Sequence, residues 1–368
     1  MDRTLGGALG WGLTDIIEEA YRNLVFAYEP GDLVYIFGFS RGGFAARSLA
    51  GLIRSSGIAP RAHLKKIPKA MARYIDSDNR PHPDDPVSFE FREAFAPRTA
   101  TSDSELKWRR DRGKTDVIKL ELSYLGIWDT VKALGLPEFL PFTRAFNAQY
   151  RFHDAVLSRS VAAARHAIAI DERRVTFPSS PWVNIDNLNE TAGVGDGQVQ
   201  PYAQQWFPGD HGSVGGGGPR VGLSSVALHW IAQGAQNAGL AINWEEFDRV
   251  APRLAPETDE LSNKFGPAGI SGALLNLIKT DREGPKEVDS LSLAAFDRVQ
   301  KDEGYGSPVL NFVLDDIRKL SAHKRAAMRD WLVARDGGPT HEIGSTLRPR
   351  NWEPPQNAPL RSDFEEED

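Results

Sequence analysis

The stretch from residue 32 to residue 53 constrains the fold more than any other part of this sequence. It opens with an apolar run of aliphatic and aromatic residues from Leu33 to Phe37, which predicts a buried strand. It closes with alanine and larger apolar residues from 44 to 53, a pattern typical of a helix packed on a sheet. Gly38-Phe39-Ser40-Arg41-Gly42 joins the two, so a G-x-S-x-G pattern lies at a strand-to-helix turn.

A serine in this setting is typical of a nucleophile elbow. Such a turn holds the serine in a strained backbone conformation with its hydroxyl projecting from the sheet edge. Side chains two positions before and two after Ser40 would collide, so we expect Gly38 and Gly42 to be sterically required. The backbone N–H of Arg41 begins the helix and can point at an oxyanion. The pattern predicts Ser40 as a nucleophile, with Arg41 contributing to an oxyanion hole.

The composition excludes several classes of function. The net charge is −6, from 44 basic and 50 acidic residues, which gives no case for nucleic acid as a partner. Cysteine is absent, which excludes disulfides, a thiol nucleophile and cysteine-ligated zinc. No signal peptide is visible at residues 1–14, and no apolar run approaches the ~18 residues of a membrane span. We expect a soluble cytoplasmic protein that uses no metal and no cofactor.

Apolar periodicity predicts an α/β fold, in which helices flank a mostly parallel sheet. Residues 117–128 are predicted to form a second core strand. Beyond the helix after Ser40, the predicted helices cover residues 14–28, 155–170, 223–239, 244–254, 309–320 and 322–333. We expect residues 1–255 to form one catalytic domain and residues 256–350 a helical C-terminal region. The acidic end, residues 351–368, is predicted to be disordered.

A polar, proline-containing segment at about residues 60–115 is predicted to be an inserted cap. It carries two basic clusters, which we interpret as solvated faces. Their members are Lys65, Lys66 and Lys69 in the first cluster, and Lys107, Arg109, Arg110 and Arg112 in the second.

Two further residues follow strand-like runs and could act with Ser40. Asp129 ends the second predicted strand, where α/β folds build their sites, although a loop or helix-capping role fits the same position. His211 lies on a glycine-rich loop, and Gly215 and Gly216 are expected to lie near the site. The chain order Ser, Asp, His is the one that α/β-hydrolases use. His211 would then take the proton of Ser40 while Asp129 holds the imidazole tautomer.

The other histidines are less well placed for this role. His63 and His82 fall in the predicted cap, and His166 and His229 fall within predicted helices. The charged run at residues 171–174 is interpreted as a structural ion-pair cluster.

Four blocks of this sequence resemble, in order, the α/β-hydrolase family filed as domain of unknown function 2235. That family includes the catalytic domain of type VI secretion phospholipase effectors, the first lipase-effector family. The blocks are GFSRGGFAARSLAGLI at 38–53, YLGIWDTV at 124–131, HAIAIDERR at 166–174 and WFPGDHGSVGGG at 206–217. The resemblance implies cleavage of phospholipids or related carboxylic esters, with Ser40, Asp129 and His211 on the triad positions. It also implies peripheral membrane contact, an immunity or secretion partner protein, and delivery by a secretion system.

Two differences from the family pattern motivate an alternative hypothesis. Family members begin with a strand and an Asp-Gly-Thr stretch ahead of the helix at residue 14, and residues 1–13 of this sequence carry no such pattern. Their glycine loop more often has His-Ser-Asp-Val, whereas this sequence has His211-Gly-Ser-Val214. The alternative is a non-catalytic binding or regulatory module on a degenerate hydrolase fold.

Overall fold

The computed structural model describes residues 11–76, 79–131, 156–174, 177–193, 199–252, 260–261 and 280–336. The predicted boundary between the catalytic domain and the C-terminal region, at residues 255–256, lies outside these ranges. The predicted acidic tail, residues 351–368, lies outside them as well.

A four-stranded parallel sheet forms the centre of the fold. In chain order its strands are β1 (Val34–Phe39), β4 (Leu122–Trp128), β5 (Ala164–Ala169) and β6 (Tyr202–Phe207), and they lie side by side in that order. The strand ends are in register, since Phe39 pairs with Trp128 and Trp128 pairs with Ala167. All four carboxyl ends therefore meet at one edge of the sheet. The predicted α/β fold with a mostly parallel sheet is confirmed.

Strand β5 replaces the C-terminal half of a helix that the sequence pattern predicts at residues 155–170. Every residue of this strand is buried, from Ala164 through Ala169. A strand buried on both faces has no polar alternation, so its periodicity cannot be distinguished from that of a buried helix. The prediction was wrong for this reason, and His166 lies on a strand.

The strand predicted at residues 117–128 is divided in two. Its main part is β4, and its first part is β3 (Ile118–Lys119), which pairs in parallel with β2 (Thr99–Ala100) to form a separate small sheet.

Helices flank the sheet on both faces. The helices of the described ranges are α1 (Trp11–Ala27), α2 (Arg41–Ser56), α3 (Ile67–Ile75), α4 (Pro86–Phe95), α5 (Asp103–Arg110), α6 (Ile185–Thr191), α7 (His211–Gly215), α8 (Gly222–Asn237), α9 (Trp244–Val250), α10 (Leu293–Lys301), α11 (Leu314–Lys319) and α12 (Ala322–Arg335), with 3₁₀ turns at Arg61–Lys66, Val288–Ser290 and Pro308–Leu310. Leu125 and Ile127 of β4 pack with α1 and α2, while Tyr124 packs with α8 on the opposite face. None of the helices in the described ranges is long and apolar enough to cross a membrane.

The segment at residues 60–115 contains α3, α4 and α5 and has a buried charged centre. Glu105 bridges Arg92 at 2.8 Å and Arg109 at 2.5 Å, and all three side chains are fully buried. The solvated interpretation of the second basic cluster is therefore wrong for Arg109, whose buried guanidinium pairs with the carboxylate four residues earlier. The lysines of the first cluster are exposed as expected.

This segment is attached to the C-terminal end of α2. Arg92 donates to the backbone oxygen of Ser55 at 3.3 Å. At a rise of ~1.5 Å per residue, Ser55 lies roughly 22 Å along the helix from Ser40.

The C-terminal helices pack on the sheet through one apolar cluster. Ile168 of β5 and Trp206 of β6 pack with Leu291 and with Phe296 of α10, and all four are buried. The helix predicted at residues 309–320 is instead a 3₁₀ turn followed by α11. Phe312, which lies between the two, is 70% exposed.

Candidate active site

Ser40 lies at the junction between β1 and α2, at the carboxyl edge of the sheet. Its backbone dihedrals are φ 58° and ψ −123°, outside the regions that L-residues populate freely. Its N–H donates to the backbone oxygen of Trp128 at 3.0 Å, and its own carbonyl accepts the N–H of Gly43 at 3.1 Å. These bonds hold the strained conformation between a neighbouring strand and the first turn of a helix.

The two glycines around Ser40 differ in their surroundings. A Cβ atom at Gly38 would overlap the backbone oxygen of Gly42, so only glycine fits there. A Cβ atom at Gly42 would meet no atom within 4 Å. The prediction that Gly42 is sterically required is therefore wrong. At the start of α2 the Cβ position of Gly42 faces open space, and it is the carbonyl of Gly42 that lies against Gly38.

Asp129 immediately follows β4 and is fully buried. Its N–H donates to the backbone oxygen of Ala167 at 2.7 Å, and its Oδ1 accepts the N–H of Ala169 at 2.9 Å. It also has a positive φ of 34°. Both ends of this residue are thus fixed to β5, which leaves Oδ2 directed along the sheet edge.

His211 is the first residue of α7, in a segment for which the glycine content predicted a loop. Asp210 caps this short helix by accepting the N–H of Ser213 at 2.9 Å. The imidazole is 5% exposed and lies between two aromatic rings, with centroid distances of 4.5 Å to Phe39 and 4.8 Å to Phe177. The two rings restrict the rotation of the imidazole.

The structure brings these three side chains into one hydrogen-bonded chain. Nδ1 of His211 is 2.6 Å from Oδ2 of Asp129, and Nε2 is 2.8 Å from Oγ of Ser40. Because an ionised carboxylate only accepts, Nδ1 donates to it, and Nε2 is then free to accept the serine proton. The arrangement can move a proton from the hydroxyl to the imidazole.

A fourth side chain, Arg282, completes the surroundings of the carboxylate. Its Nη1 lies 2.6 Å from Oδ1 of Asp129 and its Nη2 lies 3.0 Å from Oδ2. Burial would raise the pKa of the Asp129 carboxyl, but Arg282 and His211 together lower that pKa below its usual range. Nothing in the sequence around residue 282 marks this arginine, since a single basic residue between polar neighbours carries no local motif.

The charged run at residues 171–174 supports the segment that carries His211. Glu172 pairs with Arg174 at 2.6 Å, and its Oε2 also accepts the N–H of His211 at 3.3 Å. Asp171 accepts the N–H of Gly209 at 2.7 Å and the hydroxyl of Tyr305 at 3.0 Å. The ion pair expected here is present, and these carboxylates also fix the backbone before α7.

Gly215 and Gly216 end α7. A Cβ atom at Gly215 would overlap the ring of Phe39, the same ring that lies against His211. Gly216 has a positive φ of 82°, which favours glycine. Arg41 is the first residue of α2, so its backbone N–H follows Ser40 directly at a helix start.

Within the part of the chain that the structure describes, no group of three or more His, Asp or Glu residues is arranged to hold a metal ion. His166, which lies next to the site on β5, accepts the N–H of Thr130 at 3.2 Å. Burial first, and then the charges of Arg47 and Arg282, lower the pKa of His166 well below its usual value.

The molecule is an α/β protein with a serine, a histidine and an aspartate joined by hydrogen bonds at the carboxyl edge of its sheet. A family model described as "T6SS, Phospholipase effector Tle1-like, catalytic domain" matches residues 1–234, more than half of the chain. The chain belongs to this family. Membership supports a lipase or phospholipase role.

Two individual proteins are also similar to this chain. An uncharacterized protein of Saccharomyces cerevisiae, YEL023C, is 28% identical over 177 residues, which are 48% of this chain and 22% of the yeast protein. The chain thus spans less than a quarter of that relative. A crystal structure of an uncharacterized protein from Pseudomonas aeruginosa is matched with 18% identity and a TM-score of 0.27, over 92% of this chain and 37% of that one.

Proposed function

We propose that this protein is a serine hydrolase that cleaves carboxylic esters of phospholipids or related lipids through an acyl-serine intermediate. The observation that carries the proposal is the chain of hydrogen bonds from Ser40 Oγ through His211 to Asp129. Family membership supports the lipid substrate.

In the proposed reaction, Oγ of Ser40 attacks the ester carbonyl while its proton passes to Nε2 of His211. Asp129 keeps Nδ1 protonated and stabilises the imidazolium that forms. The backbone N–H of Arg41 donates to the oxyanion of the tetrahedral intermediate. Collapse of that intermediate transfers the proton from His211 to the departing alcohol and leaves the acyl group on Ser40. Water, deprotonated by the same imidazole, then releases the fatty acid.

Covalent labelling with a fluorophosphonate ester tests the proposal, because this probe reacts with a serine only when a base and oxyanion donors activate it. We expect the wild-type protein to be labelled at Ser40. The variants Ser40→Ala and His211→Ala should lose the label while keeping the wild-type circular dichroism spectrum. Ser290→Ala, which changes a half-buried serine outside the site, should label normally.

A folded wild-type protein that takes no label would overturn the hydrolase proposal. The binding-module alternative would then account for the fold. A label that persists in Ser40→Ala would show that a different serine reacts.

The cellular target is proposed to be a membrane reached after export. Expression with a periplasmic leader should then be toxic to a bacterial host, and cytoplasmic expression should be tolerated. Ser40→Ala with the same leader is the control and should be harmless. The absence of toxicity in both compartments would contradict this target.

A further inference from the structure

We propose that Arg282 is a positioning residue for the reaction, one that fixes the plane and the charge of the Asp129 carboxylate and through it the orientation of His211. This inference rests on the proposed function. Arg282 lies beyond the family-matched segment, which ends at residue 234. The C-terminal region would therefore contribute directly to the site.

The guanidinium of Arg282 is fully engaged. It has five N–H donors in a fixed planar arrangement. Nη1 donates to Oδ1 of Asp129 at 2.6 Å and to the carbonyl of Ala169 at 3.0 Å, and Nη2 donates to Oδ2 at 3.0 Å and to the carbonyl of Phe177 at 2.7 Å. Nε donates to the same Phe177 carbonyl at 3.1 Å. Every donor has an acceptor, so the guanidinium can hold only one orientation.

The acceptors explain why this orientation matters to the site. Ala169 ends β5, so its carbonyl ties Arg282 to the strand that also fixes Asp129. Phe177 supplies a ring that contacts the imidazole of His211 at a centroid distance of 4.8 Å. Arg282 therefore bridges the carboxylate that bonds His211 and the backbone of an aromatic residue that packs against it.

A purely structural role is the competing explanation, since buried arginines often serve only to pair a buried carboxylate. The bidentate contact distinguishes the two roles. Oδ2 of Asp129 accepts both from Nη2 of Arg282 and from Nδ1 of His211. Any rotation of the carboxylate away from the guanidinium would move Oδ2 relative to the imidazole, and a displacement near 1 Å can cost roughly 10²-fold in rate.

The charge of Arg282 also predicts a change that a structural role would not produce. A cation beside Asp129 opposes the addition of a proton to the Asp129–His211 pair. Without this cation, the Asp129–His211 pair should become protonated at a higher pH than in the wild type. The imidazole would then stop acting as a base at that higher pH. Among the described residues, the other charged or titratable side chains near the pair are His166, Glu172, Arg174 and Asp210, and Arg47 lies close enough to His166 to affect its pKa. These are the same in all the variants, so a difference between variants reports Arg282.

The experiment is the rate of fluorophosphonate labelling of the full-length chain as a function of pH, for Arg282→Gln and Arg282→Lys. In Arg282→Gln we expect a rate about 10²-fold lower at the optimum. The acidic limb of its pH–rate profile, where labelling is lost as the pH falls, should move to higher pH by about one unit or more. Arg282→Lys keeps the charge but has no planar pair of donors, so its acidic limb should stay at the wild-type position while its rate falls about tenfold.

Asp281→Asn is the matched control, because Asp281 pairs with Arg173 at 2.8 Å on the surface. It should label like the wild type.

The outcomes separate this inference from the proposed function. If the wild type takes no label, the proposed function fails. If the wild type is labelled and the Arg282→Gln limb stays in place, the positioning role fails alone. If Arg282→Gln does not fold, Arg282→Lys decides, because labelling at the wild-type rate would show that the guanidinium geometry is dispensable.

Discussion

Ser40 and Asp129 share an uncommon backbone property. Among the described residues they are the non-glycine positions with positive φ, at 58° and 34°. Each directly follows a strand of the central sheet, and each donates its backbone N–H to a carbonyl of a neighbouring strand. Strained conformations of this kind cost on the order of 1–3 kcal/mol and persist where the surrounding structure over-determines them. The strain at these residues supports a functional role for this edge of the sheet.

The glycines around Ser40 allow a paired test at the same scale. Gly38→Ala should destabilise the protein strongly and abolish fluorophosphonate labelling, because the new methyl would overlap the backbone of Gly42. Gly42→Ala should leave the free energy of unfolding unchanged or slightly higher, since the site is open and alanine favours a helix by up to ~1 kcal/mol. Urea unfolding measures both. If Gly38→Ala and Gly42→Ala lowered the free energy of unfolding equally, the difference between the surroundings of the two glycines would be contradicted.

His166 predicts how stability changes with pH. Burial lowers the pKa of His166 in the folded state, so as the pH falls through ~6.5 the unfolded chain binds a proton that the folded chain does not. The free energy of unfolding should therefore fall as pH decreases through ~6.5, by up to about 1.4 kcal/mol per pH unit from this residue. His166→Gln should make that slope shallower, as measured by urea unfolding at pH 7, 6 and 5.

The matched control for this test is His323→Gln, which changes an exposed histidine. It should leave the slope as in the wild type. An unchanged slope in His166→Gln would contradict a neutral, buried imidazole at this position.

At the scale of elements, the short helix α7 determines where the imidazole lies. Asp210 accepts both the N–H and the hydroxyl of Ser213 at 2.9 and 3.0 Å. Asp210→Ala should cost about 1 kcal/mol of stability, the usual value of a lost helix cap, and should slow labelling at Ser40. Asp210→Asn keeps an oxygen acceptor, so it should lose less stability and less of the labelling rate than Asp210→Ala. Equal effects of the two substitutions would show that the cap does not hold α7.

The sequence predicts a helix or strand well only where the apolar and polar residues of that segment form a clear pattern. The G-x-S-x-G stretch follows a distinct apolar run, so β1 and α2 were correctly predicted within a few residues. Strand β5 was not, because its uniform burial leaves no alternation to detect. The contact of Ser40, Asp129 and His211 could be anticipated, since each follows a strand. Arg282 could not, because its role depends only on a contact with a residue 153 positions away.

At the scale of the whole molecule, the C-terminal helices share a core with the sheet. Phe296 is fully buried against a cluster that includes Ile168 and Trp206. Phe296→Ala should lower the free energy of unfolding by about 3–5 kcal/mol.

We also expect tryptophan fluorescence and the loss of Ser40 labelling to report a single transition on thermal unfolding. Phe312→Ala, at an exposed position, should change stability by less than about 0.5 kcal/mol. Two separate transitions would show that the C-terminal helices unfold independently.

The 153-residue separation between Asp129 and Arg282 also has a consequence during protein synthesis. A ribosome releases the chain from its N-terminus, so Ser40, Asp129 and His211 all emerge before the arginine that neutralises the buried carboxylate. Until then, burying that carboxylate is unfavourable. We expect a nascent chain stalled before residue 282 to resist fluorophosphonate labelling and one stalled well beyond it to react. The order of translation would then hold back the proposed ester hydrolysis until residue 282 has left the ribosome.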